Sequence, residues 1–180
     1  MTGSKWGAGL SQTKRNIILI GMMGTGKSTV GDILAKKLGY SLVDLDAAIV
    51  AEEGMTIPEM FELHGEPYFR KAETGVLRKI LAQDGSKVVA TGGGCVLREE
   101  NRDLMLQGGF VVALTADAEA IVNRVKGDAN RPLLAGDAEE RVRTILKERK
   151  DAYRFAHCTV DTSRLGADEV ALKILTHYRV

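Results

Sequence analysis

Five short apolar runs punctuate the chain: NIILI at 16–20, SLVDL at 41–45, KVVAT at 87–91, FVVAL at 110–114 and HCTVD at 157–161. Between and after them, apolar residues recur at helical spacing over 27–38, 67–82, 98–107, 117–126, 137–153 and 167–178. Strand followed by helix, repeated along the chain, predicts a mostly parallel five-stranded sheet with helices on both faces, an α/β three-layer α/β/α sandwich. Near-continuous apolar strands suit such a sheet, because both of its faces are covered. Its ligands bind beyond the carboxyl ends of the strands, so the residues that follow each run are the ones to read for chemistry.

One segment breaks the rhythm. KGDANRPLLAGD, 126–137, has no periodicity and carries Gly127, Pro132 and Gly136, so a mobile loop is expected there. The first fifteen residues, MTGSKWGAGLSQTKR, are polar, free of acids and without the apolar core of a secretory signal, and are expected to form a flexible leader. The remaining 16–180 is expected to fold as a single domain, since a chain of 180 residues is near the usual size of one core.

Charge narrows the partners. Lys and Arg number 25 against 24 Asp and Glu, so no overall basic field exists to collect nucleic acid, and any anion site has to be local. No apolar run approaches the roughly 20 residues of a membrane span. Cys95 and Cys158 form no CxxC pair, and His64, His157 and His177 are scattered without metal-ligand spacing. Free thiols in a reducing cytoplasm are the expectation.

The richest stretch is ILIGMMGTGKSTVG, 18–31, in which Gly21, Gly26, Lys27 and Ser28 satisfy G-x-x-x-x-G-K-[ST] at a strand-to-helix junction. Gly24 adds a further bend. Such a loop turns successive N–H groups and a helix N-terminus toward phosphate oxygens. Lys27 would carry positive charge to the β and γ phosphates, and the Ser28 hydroxyl would ligate a magnesium ion, which prefers hard oxygen. The markers of a GTPase, DxxG and NKxD, do not occur.

A phosphate cradle does not name the acceptor, so the other strand ends matter. VDLDAAI sets Asp44 and Asp46 two apart, on one side if the strand continues. Asp44 would hold magnesium through water and Asp46 would accept the hydrogen of an attacking hydroxyl; a helix N-cap at Asp46 with a solvated Asp44 is the plainer alternative. In GEPYFRKAE, Arg70 and Glu73 stand at i and i+3, placing a fork for an anion or an ordinary surface salt bridge. Gly92, Gly93 and Gly94 of TGGG allow backbone to touch a ligand, and equally allow a tight turn. Arg131 in the loop would supply charge to a phosphoryl transition state on closure, or be an exposed loop arginine. Arg149 stands one helical turn before Tyr153 in KERKDAYRFA.

Taken in order, GMMGTGKSTVG, DLD, GEPYFRKAE, TGGG, NRPLL, ERKDAYRFA and VDTS closely resemble the shikimate kinases, over about residues 16 to 178. The resemblance implies a nucleoside-monophosphate-kinase-like fold with strand order 2-3-1-4-5. It also implies ATP-dependent phosphorylation of the shikimate 3-hydroxyl, in aromatic amino-acid biosynthesis. By that pattern Asp46, Arg70, Gly92, Gly93, Gly94 and Arg149 would bind shikimate, with Arg70 and Arg149 gripping its carboxylate. Gly24, Thr25, Gly26, Lys27, Ser28 and Thr29 would hold ATP, with Arg124 packing on adenine, Arg131 reaching from the lid at 126–137 and Arg164 edging the adenine pocket. Ser28 and Asp44 would hold one Mg2+; Asp46, Lys27 and Arg131 would be the catalytic set.

Two positions depart from the family pattern: Cys95 where Ala is common, and the Asp151–Ala152 pair where Pro and Leu often precede the tyrosine. The first would make the enzyme thiol-sensitive, and the second bears on the carriage of Arg149. A gluconate kinase-like enzyme and a nucleotide-binding relative without turnover are the competing readings. No heptad or large apolar patch asks for a partner subunit, so a monomer is expected.

Overall fold

Strand β1, Asn16–Ile20, lies at the middle of the molecule, with Ile17 to Ile20 wholly buried. The protein is described here by a computed structural model over residues 16–125 and 138–178. The leader, the loop 126–137 and with it Arg131 lie outside the described residues.

Five parallel strands form the sheet in the order β2-β3-β1-β4-β5, with β2 at Ser41–Asp44, β3 at Lys87–Ala90, β4 at Gly109–Thr115 and β5 at Cys158–Asp161. The expected three-layer sandwich and strand order are therefore present. Ile18, Ile20, Val89 and Val111 face one layer of helices, while Ile17, Leu19, Val88 and Val112 face the other, the period-two consequence of a strand covered on both sides. Helix α1, Lys27–Leu38, covers the second face together with the last helix, α8, Ala167–His177.

Two helices that the hydrophobic spacing did not announce, α2 (Leu45–Glu53) and α3 (Ile57–His64), fill the chain between β2 and the long α4 (Glu66–Ala82). Each is short, so its apolar pattern is brief. The signal for α3 is in its cap: Thr56 accepts from the Glu59 N–H and the Glu59 carboxylate accepts from Thr56, a capping box. Together with α5 (Glu99–Gly108), α2 to α4 cover the first face, burying Leu45, Ile49, Met60, Leu77 and Met105.

The helix expected over 137–153 is shorter. As α7 it spans Ala138–Glu148, after α6 at Ala118–Val125, and the chain then runs through turns that carry Arg149 and Tyr153. Because β1 sits between β3 and β4, the connections from β1 and from β3 leave in opposite directions. Their carboxyl ends form the crevice that a topological switch opens.

Candidate active site

The loop after β1 is shaped by steric necessity. A Cβ at Gly21, whose φ is +144°, would lie 2.3 Å from the Leu114 carbonyl oxygen of β4, so neither another backbone nor another residue fits. Gly24, at φ +76°, packs against Ile121 and Val125 of α6. Thr25 is buried and donates to the Met22 carbonyl at 2.8 Å, and the Lys27 ammonium folds across the loop to Gly21 O at 2.7 Å and Met22 O at 2.8 Å.

What this leaves open is a row of donors. Helix α1 starts at Lys27, after a Gly26 that offers no side-chain cap, and has no acidic residue in its first turn, whereas α2, α3 and α8 each have an acidic residue there. Among the described residues the N–H groups of Gly24, Gly26, Ser28 and Thr29 have no acceptor. Uncapped donors, the positive end of a helix dipole and a lysine make an anion cradle. It lines a cleft of about 670 Å³ that also takes in Asp44, Asp46, Thr91 to Gly93, Arg124 and Thr162.

The two aspartates do not share a strand side. β2 stops at Asp44, whose Oδ1 caps α2 by accepting from the Ala47 N–H at 3.0 Å, so the capping residue is Asp44 and not Asp46. Asp46 lies in the first turn of α2 and reaches the cleft from there. Burial raises its carboxyl above the ordinary 3.8; Asp44 adds to the rise, while Lys27 and Arg70 oppose it.

The loop after β3 joins the cradle through Thr91, whose N–H and hydroxyl both lie 3.1 Å from the Leu19 carbonyl. Its glycines are used for close approach, and each faces a different side chain. A Cβ at Gly92 would lie 2.9 Å from Asp46 Oδ1, one at Gly93 3.6 Å from Arg149 Nη1, and one at Gly94 2.7 Å from Arg70 Nη2. Residues 46, 70 and 149, from α2, α4 and the turn after α7, thus converge on three consecutive residues of backbone.

The Arg70–Glu73 pair is not an ordinary surface salt bridge. Glu73 is 1% exposed and accepts from Arg70 Nη1 at 3.0 Å, while Glu66 holds the other side of the guanidinium at 3.1 Å. Arg98 tethers the same turn, donating to the Arg70 carbonyl at 3.0 Å and to the Thr74 hydroxyl at 3.1 Å. Burial raises the Glu73 carboxyl and Arg70 pulls it back. Spacing shows that residues 70 and 73 can meet; only packing shows that the carboxylate is buried.

At the other end of the cleft Arg124 donates to Gly24 O at 3.1 Å and to the Thr162 hydroxyl at 3.0 Å. The buried Thr162 hydroxyl also lies 3.0 Å from Thr25 O and 3.1 Å from Thr115 O, tying β4 and the end of β5 to the cradle. Its signal in the sequence is the motif VDTS, whose threonine attracted no role. Arg164 is exposed and is not part of the cleft wall, which is made there by Leu165, Ala167 and Val170. Cys95 is wholly buried, and burial pushes its thiol well above the ordinary range, so the expected thiol sensitivity at this position is not supported.

Comparison with known proteins follows the same lines. The profile of the family described as shikimate kinase matches residues 23–179. The shikimate kinase of Geobacter sulfurreducens is 43% identical over 175 residues, 97% of this chain and 96% of that protein. Among solved structures, shikimate kinase from Acinetobacter baumannii in complex with shikimate superposes with a TM-score of 0.84 at 42% identity, covering 91% of this chain and 92% of that one. A gluconokinase from Sinorhizobium meliloti, at 19% identity and a TM-score of 0.60, shares the fold. With motif order, strand order and sequence agreeing over nearly its whole length, the chain belongs to the shikimate kinase family.

Proposed function

We propose that the chain transfers the terminal phosphoryl group of ATP to the 3-hydroxyl of shikimate, giving shikimate 3-phosphate and ADP in the aromatic amino-acid pathway. The observation that carries this reading is the convergence of Asp46, Arg149 and Arg70 on Gly92, Gly93 and Gly94 beside the phosphate cradle. Consecutive Cα atoms are about 3.8 Å apart, so guanidiniums facing neighbouring glycines are within reach of one carboxylate. Two arginine forks suit that planar anion, and a carboxylate next to them suits a hydroxyl of the same small ring.

In the reaction, the acceptor oxygen forms a bond to the γ-phosphorus as the bond from that phosphorus to the β–γ bridging oxygen breaks. Asp46 accepts the hydrogen of the attacking hydroxyl, and its raised carboxyl makes it a better base than a solvated aspartate. The N–H groups of the cradle, with Thr25 shaping the loop, and Lys27 hold the phosphates; Arg124 borders the adenine side. By the family pattern Arg131, outside the described residues, would add charge to the transferring group. Since phosphoryl transfer relies on positioning and charge neutralisation, these groups need little further chemistry.

Ser28 and Asp44 are the residues for Mg2+, and their hard oxygens fit it. Mg2+ commonly takes one or two protein oxygens and completes its shell from phosphates and water, so two residues suffice. Bound there, Mg2+ neutralises phosphate charge. We read 16–180 as one kinase domain and the protein as a cytoplasmic monomer without nucleic-acid or membrane partners; its nearly balanced charge supports the lack of a nucleic-acid partner. No helix among the described residues is long and apolar enough to cross a membrane.

The test is ADP release measured with shikimate, gluconate, AMP or no acceptor. Stimulation by shikimate alone is expected. Stimulation by gluconate and not by shikimate would replace the acceptor assignment.

A further inference from the structure

The three glycines after β3 do not hold their carbonyls in the same way. Gly92 O accepts from the Cys95 N–H at 3.2 Å and Gly94 O from the Leu97 N–H at 3.1 Å, both within the short 3-10 turn that follows. Gly93 O is held from a distance: the Tyr153 phenol, sixty residues further along the chain, donates to it at 2.9 Å. The middle peptide of the strip therefore depends on one side chain.

A trans peptide is planar, with C=O and N–H pointing in opposite directions. Holding Gly93 O toward Tyr153 turns the Gly94 N–H to the opposite side. That N–H and the Gly93 N–H have no acceptor among the described residues. Gly93 faces Arg149 and Gly94 faces Arg70, so these donors belong to the stretch of backbone against which the two guanidiniums lie. Flanked by glycine on both sides, this peptide would rotate at little cost if nothing held it. Tyr153 is half-buried against the first-face core, and Arg149 lies close enough to influence its phenol. Burial, the larger influence, keeps the phenol protonated and so a donor across the neutral range.

We propose that Tyr153 is a positioning residue for the acceptor: its phenol locks the Gly93–Gly94 peptide so that the Gly94 N–H, on the backbone that Arg149 and Arg70 face, is presented to the acid. The proposal rests on the reading of this strip as the acceptor site. It also accounts for a tyrosine in the turn after α7, where packing alone would accept phenylalanine.

The experiment compares wild type, Tyr153→Phe and Arg149→Ala in steady-state kinetics with both substrates varied. Thermal midpoints and the ¹⁵N amide signal of Gly94 are recorded for each protein. Tyr153→Phe removes one oxygen and keeps the ring, so the midpoint should move little. Its KM for shikimate should rise about fivefold to tenfold, the span of one lost hydrogen bond, with KM for ATP unchanged, kcat within about twofold and the Gly94 signal shifted or broadened. An unchanged shikimate KM in Tyr153→Phe, with a raised one in Arg149→Ala, would overturn the proposal and leave the acceptor site standing. Equal rises for both substrates in Tyr153→Phe would also overturn it, as general loosening. An unchanged shikimate KM in Arg149→Ala would instead remove the reading on which it rests.

Discussion

Gly94 and Arg70 are fitted to one another: the position of a Cβ on Gly94 lies 2.7 Å from Arg70 Nη2 and 3.0 Å from Nη1, so the guanidinium lies directly on the backbone. The arginine cannot retreat freely, because Glu73 and Glu66 hold it from behind. The absence of a side chain at residue 94 is thus what lets the guanidinium lie where it does.

Gly94→Ala should displace the Arg70 guanidinium without unfolding the chain, since the clash is with the far end of a long side chain and Gly94 has an ordinary φ of −93°. The expected outcome is a rise in shikimate KM of about tenfold or more, the scale of a lost charge-assisted hydrogen bond, with KM for ATP nearly unchanged. Steady-state kinetics with each substrate varied in turn measures this.

Gly21→Ala should behave in the opposite way. Its methyl group would meet the Leu114 carbonyl at 2.3 Å, backbone against backbone, at a φ of +144° that alanine rarely adopts. The cradle would have to deform, so ATP binding should be lost and stability lowered by about 1–3 kcal/mol, the cost of a forced backbone conformation. Calorimetric titration with a nonhydrolysable ATP analogue and thermal denaturation check the two parts separately.

Glu73→Leu should cost both binding and stability. Removing one partner of a buried ion pair commonly costs about 3–5 kcal/mol, and about 2–3 is expected here because Arg70 retains Glu66 and partial contact with water. The shikimate KM should rise with that of ATP unchanged. Urea denaturation and kinetics on the same preparation give both numbers.

Asp46→Asn should separate stability from catalysis. Asp46 has a raised carboxyl in the fold, so between the ordinary 3.8 and its folded value the native state binds more protons than the unfolded one. Stability contributed at this site therefore falls as pH rises through that window, and the ionised carboxylate remains a burden at neutral pH. The asparagine variant should show a higher thermal midpoint than wild type at neutral pH and converge with it in acid, while turnover falls at least about 100-fold. Melting curves across pH, with turnover at neutral pH, measure both. In wild type kcat/KM should decline on the acid side, with its midpoint above 3.8.

Much of this protein is legible without coordinates. The unbroken apolar strands and the spacing of the helices led to the sheet because burial on both faces leaves a strong local pattern. The glycine-lysine loop was legible because its chemistry lies in eight consecutive residues. Helix α2 was harder: nine residues give a brief period, and nothing in VDLDAAI shows that β2 ends at Asp44 instead of running on to Asp46. The cap therefore falls at Asp44 and not at Asp46.

Sequence alone determined the succession of the five strands and the glycine-lysine loop, since each rests on a local apolar run or a contiguous motif; the distant Asp46, Arg70 and Arg149 were tied together only by the resemblance to a family. Tertiary structure alone decided that Glu73 is buried behind Arg70, that Thr162 ties the cradle to two strand ends, and that Tyr153 holds Gly93. Those facts join residues up to 137 positions apart. Burial and long-range hydrogen bonds arise only when the layers pack, and no periodicity along a chain encodes which distant groups packing will bring together.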